Sequence, residues 1–231
     1  ITTNADSHMM KNSEWGAAAY LSHSKYGVNR EVYINNSYFS YTGRSGGNVG
    51  GKTPINKTYT DQTSTRTSNE YGYYTWDGYL LKYGANIRNS TRDLTKVAST
   101  TGNITGIYDM SGGVMEYVMA YHSKASTTWG ATSDSNYAGF SSKPDSKYYD
   151  DYATSNELTT CNGGICYGHG LSETIGWYGD NSSSIFTNYP WFKRGGYYSD
   201  YSIAGVFAIS RDTGTSNSYT GFRSVLVNVG A

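Results

Sequence analysis

Hydrophobic and polar positions alternate in three registers along this chain, and each register marks a different kind of element. Helical spacing occurs once with clarity, in SEWGAAAYLS at 13–22. Trp15, Ala18, Ala19 and Ser22 fall on one face, Glu14 sits in the first turn, and Asn12 or Ser13 is placed to cap it. Gly27 is the stop signal. His23, near the end of this run, reads as a solvated or capping side chain. Period-two or short apolar runs predict strands at Glu31–Ile34, Ile107–Met110, Val114–Met119, Ala204–Ile209 and Ser224–Val229. Residues 1–6 read as polar and extended.

In Val114–Met119 the alternation sets Val114, Glu116 and Val118 on one face and Met115, Tyr117 and Met119 on the other. Glu116 is therefore expected to be a partly buried carboxylate. It is suited to accepting backbone or tyrosine hydrogen bonds, or to ligating a metal, and the first role is the commoner. Tyr71–Tyr83 alternates aromatics with glycine and predicts a hairpin around Asp77-Gly78. Ser172 and Glu173 predict a short helical turn before Trp177.

The third register is the absence of a period. Residues 36–70 and 120–160 are mostly Ser, Thr, Gly, Asn, Asp and Tyr. Runs of this length predict a loop-rich fold pinned by tyrosine rings. Composition explains how such a fold keeps a core. The 231 residues are 37% hydrophobic and 16% charged, with 28 Gly and 25 Tyr. Each tyrosine buries a large ring and offers a hydroxyl, which offsets the shortage of Leu and Ile. A single domain over 1–231 is expected, since nothing reads as a linker.

The formal net charge is zero, so no basic face is expected for nucleic acid. The longest apolar runs, Gly16–Leu21 and Ala204–Ile209, are far too short to cross a bilayer. No signal peptide is visible, and the start at Ile1 reads as that of a mature or trimmed piece. Cys161 and Cys166, in CNGGIC, are expected to form a disulfide across a tight loop, which points to an extracellular or cell-surface location. Sequons at Asn35, Asn56, Asn89, Asn103 and Asn181 are compatible with that location. Asp145, Asp150 and Asp151 lack EF-hand spacing and read as a solvated acidic turn rather than a calcium site. His169 lies between glycines with no partner in sequence that completes a catalytic pair.

The stretch 191–223 concentrates the candidate site. Arg194-Gly195-Gly196 and Gly221-Phe222-Arg223 bracket the Ala204–Ile209 run. Between them lie Tyr197, Tyr198, Ser199, Asp200, Tyr201 and Ser202, then Arg211, Asp212, Thr213, Asn217, Ser218 and Tyr219. Mixtures of Tyr, Ser, Asn and Gly make adaptable contact surfaces, because rings supply area at small entropic cost and short polar groups supply hydrogen bonds. These residues are the candidate ligand-binding set, with no catalytic residue among them.

Three pieces in order, SEWGAAAYLS (13–22), GIYDMSGGVMEYV (106–118) and the pair RGG (194–196) with GFR (221–223), resemble the formylglycine-generating-enzyme (sulfatase-modifying-factor) family. They cover about a quarter of the chain and span it end to end. The resemblance implies an α+β, C-type-lectin-like fold with few helices, long loops and a small twisted antiparallel sheet. The oxidases of that family place copper-binding cysteines shortly after the closing RGG. Here 197–222 contains no cysteine, so thiolate chemistry is not expected. Gly113 stands where many members carry Asn, which weakens any calcium site there. No cofactor is expected, with Ca²⁺ the one ion the resemblance leaves open.

The longer segments at 8–27, 99–119, 166–180 and 191–226 are similar to modules of Firmicutes surface and pilin-like proteins. Residues 197–219 resemble the variable region of diversity-generating-retroelement target proteins, in which chosen codons vary within a fixed lectin-type frame. The resemblance implies a non-catalytic display or adhesion module. Its expected partner is a protein or glycan on another cell, phage or host. The alternative is the outer domain of a pilin-like filament subunit that self-assembles, and less favoured is a copper-dependent oxidase.

Overall fold

The computed structural model describes residues 5–32, 34–35, 72–74, 80–82, 99–103, 105–123, 144–153, 167–183, 189 and 191–228. Within them the fold is α+β: one α-helix and a mixed, open five-stranded sheet, with two two-stranded ribbons.

Strand β1, Ala5–Met9, leads into helix α1, Asn12–Ser22. The helix opens one residue earlier than Asn12 or Ser13 capping predicts, with Lys11 as the N-cap residue. The Lys11 N–H donates to the Glu14 carboxylate at 2.8 Å. Asp150, distant in sequence, accepts from the Ser13 N–H at 2.7 Å and from the Ser13 hydroxyl at 3.1 Å. A carboxylate at a helix N-terminus satisfies amides that lack an intrahelical partner and complements the helix dipole. The helix ends at Ser22 rather than running towards Gly27. His23 is the C-cap residue, its Nδ1 lying 3.1 Å from the Ala19 carbonyl, which fits the capping role expected of it.

A short ribbon pairs β2, Gly72–Tyr74, antiparallel with β3, Leu80–Lys82. This is the predicted hairpin; its turn at Asp77-Gly78 lies outside the described residues. The main sheet is built on β4, Met115–Ser123. One edge of β4 pairs antiparallel with β6, Trp191–Arg194, which pairs in turn with β7, Ile209–Asp212. Its other edge pairs in parallel with β5, Asp150–Ala153, and with β8, Thr220–Phe222. The sheet is thus mixed, where an antiparallel one was expected. Parallel pairing needs a long crossover, and 26 residues separate the end of β4 from the start of β5. Finally β9, Ser224–Asn228, pairs antiparallel with β1.

Three predicted strands take other forms. Val32 and Ile34 are buried but form no strand, and Asn35 makes only an isolated parallel bridge to Gly112. Ile107–Met110 is irregular, with Asp109 in left-handed backbone at φ 61°. Ala204–Ala208 is a buried turn, and the strand begins only at Ile209. At 31–34 and 204–209 the apolar run reported burial correctly and conformation wrongly, because short buried runs carry no period; of Ile107–Met110 only Met110 is buried, and Ile107 is exposed.

The core joins helix to sheet. Trp15, Ala19, Met110, Val118, Tyr152, Leu171, Phe192, Val206 and Phe207 are buried in one cluster. Trp15 is fully buried, and its indole N–H donates to the Val206 carbonyl at 2.7 Å. Gly16 packs so tightly that an added Cβ would lie 2.4 Å from the Gly168 carbonyl oxygen.

Candidate functional site

Glu116 lies at the centre of the frame. On β4 it stands in register between Arg194 of β6 and Gly221 of β8. The two closing motifs, 27 positions apart from Arg194 to Gly221, are therefore brought side by side across one strand. Arg223 turns back onto Glu116 and donates from Nε and Nη2 to the two carboxylate oxygens. Its Nη1 donates to the Tyr108 carbonyl at 3.1 Å. Burial pushes the Glu116 carboxyl up from its ordinary value, against the pull of Arg223. The buried carboxylate was expected; its guanidinium partner was not.

Arg194 is fully buried. Its Nη1 donates to the Gly170 carbonyl at 2.9 Å, and burial lowers the guanidinium to about 10. Both arginines lie against the Trp15 ring, at 6.0 Å for Arg194 and 5.3 Å for Arg223. These are cation–π separations. The helix motif and the RGG and GFR motifs thus converge on one indole.

Gly195 and Gly196 follow Arg194 at φ 85° and 71°. Side chains rarely adopt this backbone, and a Cβ on Gly196 would lie 2.8 Å from Ala204. The Gly195 carbonyl accepts from Gly112 at 2.9 Å and from Gly205 at 3.1 Å. The glycine pair therefore ties together the 112–113 turn, the end of β6 and the buried 204–208 turn.

Two loops leave this frame. In the first, Tyr197 donates its N–H to the Asp200 carboxylate at 3.0 Å, and Asp200 returns its own N–H to the Tyr197 carbonyl at 2.9 Å. Tyr198 donates to the Gly113 carbonyl at 2.9 Å. In the second, Asp212 accepts from the Gly214 and Thr215 amides at 2.9 and 3.2 Å. Asn217 Oδ1 accepts from the Tyr219 amide at 2.8 Å. The Tyr219 carbonyl accepts from Met115 at 2.9 Å. Residues 113 and 115 thus anchor one loop each.

The result is a cluster of three rings from two loops. Tyr197 lies 5.3 Å from Tyr198 and 5.5 Å from Tyr219, and Tyr198 lies 6.3 Å from Tyr219. Tyr219 is exposed; Tyr197 and Tyr198 are half-buried. Arg211 is exposed and stacks over Tyr189 at 5.4 Å. Ser199, Ser202 and Thr213 are half-buried, Asn217 and Ser218 are exposed. The backbone of Tyr201 lies in a short 3-10 turn, Tyr201–Ile203.

Not every candidate faces outward. Asp212 is drawn inward, 2.6 Å from Lys193 Nζ and 2.6 Å from the Tyr117 hydroxyl. Burial pushes its carboxyl up, but the bonds from Lys193 and Tyr117 outweigh this and hold it below the ordinary carboxylate range. Asp200 is half-buried, and its carboxyl is pushed up by burial. Asp200, Asp212 and Asn217 therefore act as braces of their loops. Sequence reasoning missed Lys193, Tyr117 and Trp15 as supports. Only the alternation of β4, which separates Glu116 from Tyr117, hinted at two faces with different tasks.

Metal chemistry finds few donors here. The 197–222 segment offers no thiol for copper. Among the described residues, no group of three or more His, Cys, Asp or Glu side chains is arranged to hold an ion. Asp150 caps α1, and Asp145 caps the turn Ser146–Tyr148 by accepting from Lys147. The acidic turn is thus given over to capping. Asn35 is buried and donates to Asp109 at 2.9 Å, which removes it as a glycan acceptor in the folded chain. Cys161 and Cys166 lie outside the described residues, as do Asn56 and Asn89. No helix among the described residues is long and apolar enough to cross a membrane.

Comparison of the chain with family models, curated proteins and solved structures finds no match.

Proposed function

We propose that this chain is a non-catalytic ligand-binding module whose recognition surface is the Tyr197, Tyr198 and Tyr219 cluster. One observation carries the reading: rings from two separate loops meet above a frame built on the buried Trp15, Glu116 and Arg194. Clustered, partly exposed tyrosines cost solubility unless a partner covers them. Tyrosine is among the residues enriched at binding hot spots. Ser199 and Ser218 stand next to the rings in sequence, and Arg211, Ser202 and Thr213 belong to the same stretch as further polar candidates. The ligand is a protein or glycan displayed on another cell, phage or host, and the module acts outside the cell or at its surface.

The resemblance to the formylglycine-generating-enzyme family, and through it to the C-type-lectin-like fold, supports the same reading. So does the convergence of its RGG and GFR motifs on Trp15 of its helix motif. Retroelement diversification fits the division between frame and loop. Residues 197–202 and 212–219 carry the Tyr, Ser, Asp, Thr and Asn repertoire, while Arg194 before them and residues 204–209 between them are buried.

The test uses labelled wild-type protein and the triple variant Tyr197→Ala/Tyr198→Ala/Tyr219→Ala on arrays of glycans and cell-surface proteins. Wild type is expected to retain at least one ligand at micromolar affinity or better (about −8 kcal/mol), and the variant to lose it. Equal retention by both, or none by wild type, overturns the reading.

A second reading, the body of a self-assembling surface filament, has its own support. Phe222, Leu226 and Val227 are exposed at 65%, 64% and 39% along β8 and β9. Electron microscopy of the native protein would show filaments under this reading and only monomers under the first.

A further inference from the structure

The segment 167–180 contributes nothing to the tyrosine cluster, yet it is built with equal care. The Glu173 carboxylate accepts from three amides of its own loop, Gly168 at 3.1 Å, Gly170 at 3.0 Å and Leu171 at 3.0 Å. Tyr20 of α1 donates to the same carboxylate at 3.2 Å. At the other end, Asp180 accepts from the Phe207 amide at 3.0 Å, and Asn181 donates to the Ile203 carbonyl at 2.8 Å. The loop is stapled at both ends to the helix and to the buried 204–208 turn.

What this loop presents is aromatic. Trp177 and Tyr178 are each 41% exposed, beside Ile175 at 59%. Phe207, buried beneath, meets Trp177 edge-on at 5.1 Å and lies parallel to Tyr178 at 6.4 Å. Tyr20 and His23 support the same rings from α1, at 5.8 and 4.7 Å. The rings are thus fixed before any ligand arrives, which removes part of the ordering cost of binding.

The backbone adds an independent sign. Gly176 and Gly179 take φ 82° and 77°, as glycine does without penalty, but Tyr178 between them is also left-handed at φ 54°. A bulky side chain is disfavoured there, and such residues cluster at ligand-binding positions. The chain keeps a tyrosine where glycine or asparagine would relax the turn.

We propose that Trp177 and Tyr178 form a second binding site, an aromatic platform for a neutral saccharide. The axial C–H face of a pyranose is apolar and faintly positive, and complements the negative face of an aromatic ring. Ser172 and Ser182 flank the platform in sequence with neutral hydroxyls suited to a sugar's own. Size favours a sugar over a protein. At 41% exposure, two rings of about 150–250 Å² each offer roughly 120–200 Å². A stable protein interface buries about 800 Å² per partner. The chain's zero net charge gives no attraction for a phosphate backbone that would favour stacked nucleic-acid bases. The site is independent of the tyrosine cluster, so either stands without the other.

Calorimetric titration of the full chain with cellotetraose, chitotetraose and mannotetraose tests this. Saturable binding of at least one is expected, at millimolar affinity or tighter (about −4 kcal/mol). Trp177→Ala and Tyr178→Asn should weaken it at least tenfold, while the triple Tyr197/Tyr198/Tyr219 alanine variant leaves it unchanged. Should Trp177→Ala fail to fold by circular dichroism, Tyr178→Asn and the exposed Ile175→Ser carry the same test. No binding of any of the three, or binding equal in Trp177→Ala and Tyr178→Asn, overturns the proposal. Self-association abolished by Trp177→Ala in the absence of sugar binding overturns it too, and makes the platform a protein contact.

Discussion

The frame around Trp15 and the loops that carry the tyrosine cluster are stabilised on different scales. The frame works over distance. Trp15 bonds to Val206, Arg223 to Glu116, and Asn12 to Tyr152, each pair separated by more than a hundred residues. Beyond their anchors at Gly113, Met115 and Tyr117, the loops are braced locally. Tyr197 with Asp200, Asp212 with Gly214 and Thr215, and Asn217 with Tyr219 all lie within three residues of each other. Trp15, Glu116 and Arg194 of the frame are buried, and Arg223 is half-buried against them. In the loops the braces are short polar groups, and the rings stand on top of them. The lesson is a division of labour in which surface side chains can be exchanged while the backbone beneath keeps its course.

The strongest way to break that comparison is at its centre. Trp15→Ala removes a fully buried ring, and with it the surface against which both arginines lie. A loss of about 3–5 kcal/mol is expected, on the order of 10 °C in melting temperature for a chain of this size. A loss no larger than that of a surface substitution would mean that the frame is not where stability resides.

Glu116→Ala strikes the same frame through charge. It strands the Arg223 guanidinium against Trp15 with only the Tyr108 carbonyl as acceptor. Breaking a buried pair from one side costs about 3 kcal/mol or more, and chemical denaturation would measure it. Replacing both partners, as Glu116→Met/Arg223→Met, should recover most of the loss. Equal instability of single and double variants would count against the pairing as the cause.

The smallest effect belongs to the loops. Asp200 is a carboxylate whose ionised form is disfavoured by burial, so its folded value is raised. Proton binding by Asp200 therefore favours the folded state at low pH, and this contribution is lost as pH rises through the raised folded value. Asp200→Asn keeps a carbonyl to accept from Tyr197 and removes the charge. It is expected to raise the melting temperature slightly at pH 7, by about 2 °C. The difference should shrink as pH falls from above the raised folded value to the ordinary carboxylate value. A destabilised variant at pH 7 would show that the charge on Asp200 is needed by its loop.

Much of the frame was legible in the sequence, and the reason is physical. The helix around Trp15 and Ala19 declared itself by period, and the alternation of β4 placed Glu116 inside. Gly195 and Gly196 stood out only as part of the RGG bracket; their left-handed backbone is a finding of the structure. What was not legible is what depends on tertiary contact. Ala204–Ala208 reads as a strand because it is apolar, yet it folds as a turn under Gly196. Asp150 reads as a solvated acid, yet it caps a helix that begins 138 residues earlier. Asp212 reads as decoration, but Lys193 and Tyr117 draw it inward. A carboxylate in a polar run has no periodic signature, so its partner decides its role.

The central claim is that the tyrosine rings are carried by the fold and are not needed to hold it. The most direct measurement is the melting temperature of the variant Tyr197→Ala/Tyr198→Ala/Tyr219→Ala beside its ligand retention. Surface substitutions of this kind cost little, so a fall of less than about 5 °C is expected, together with complete loss of retention. A fall as large as that of Trp15→Ala would contradict the account, because the rings would then belong to the core.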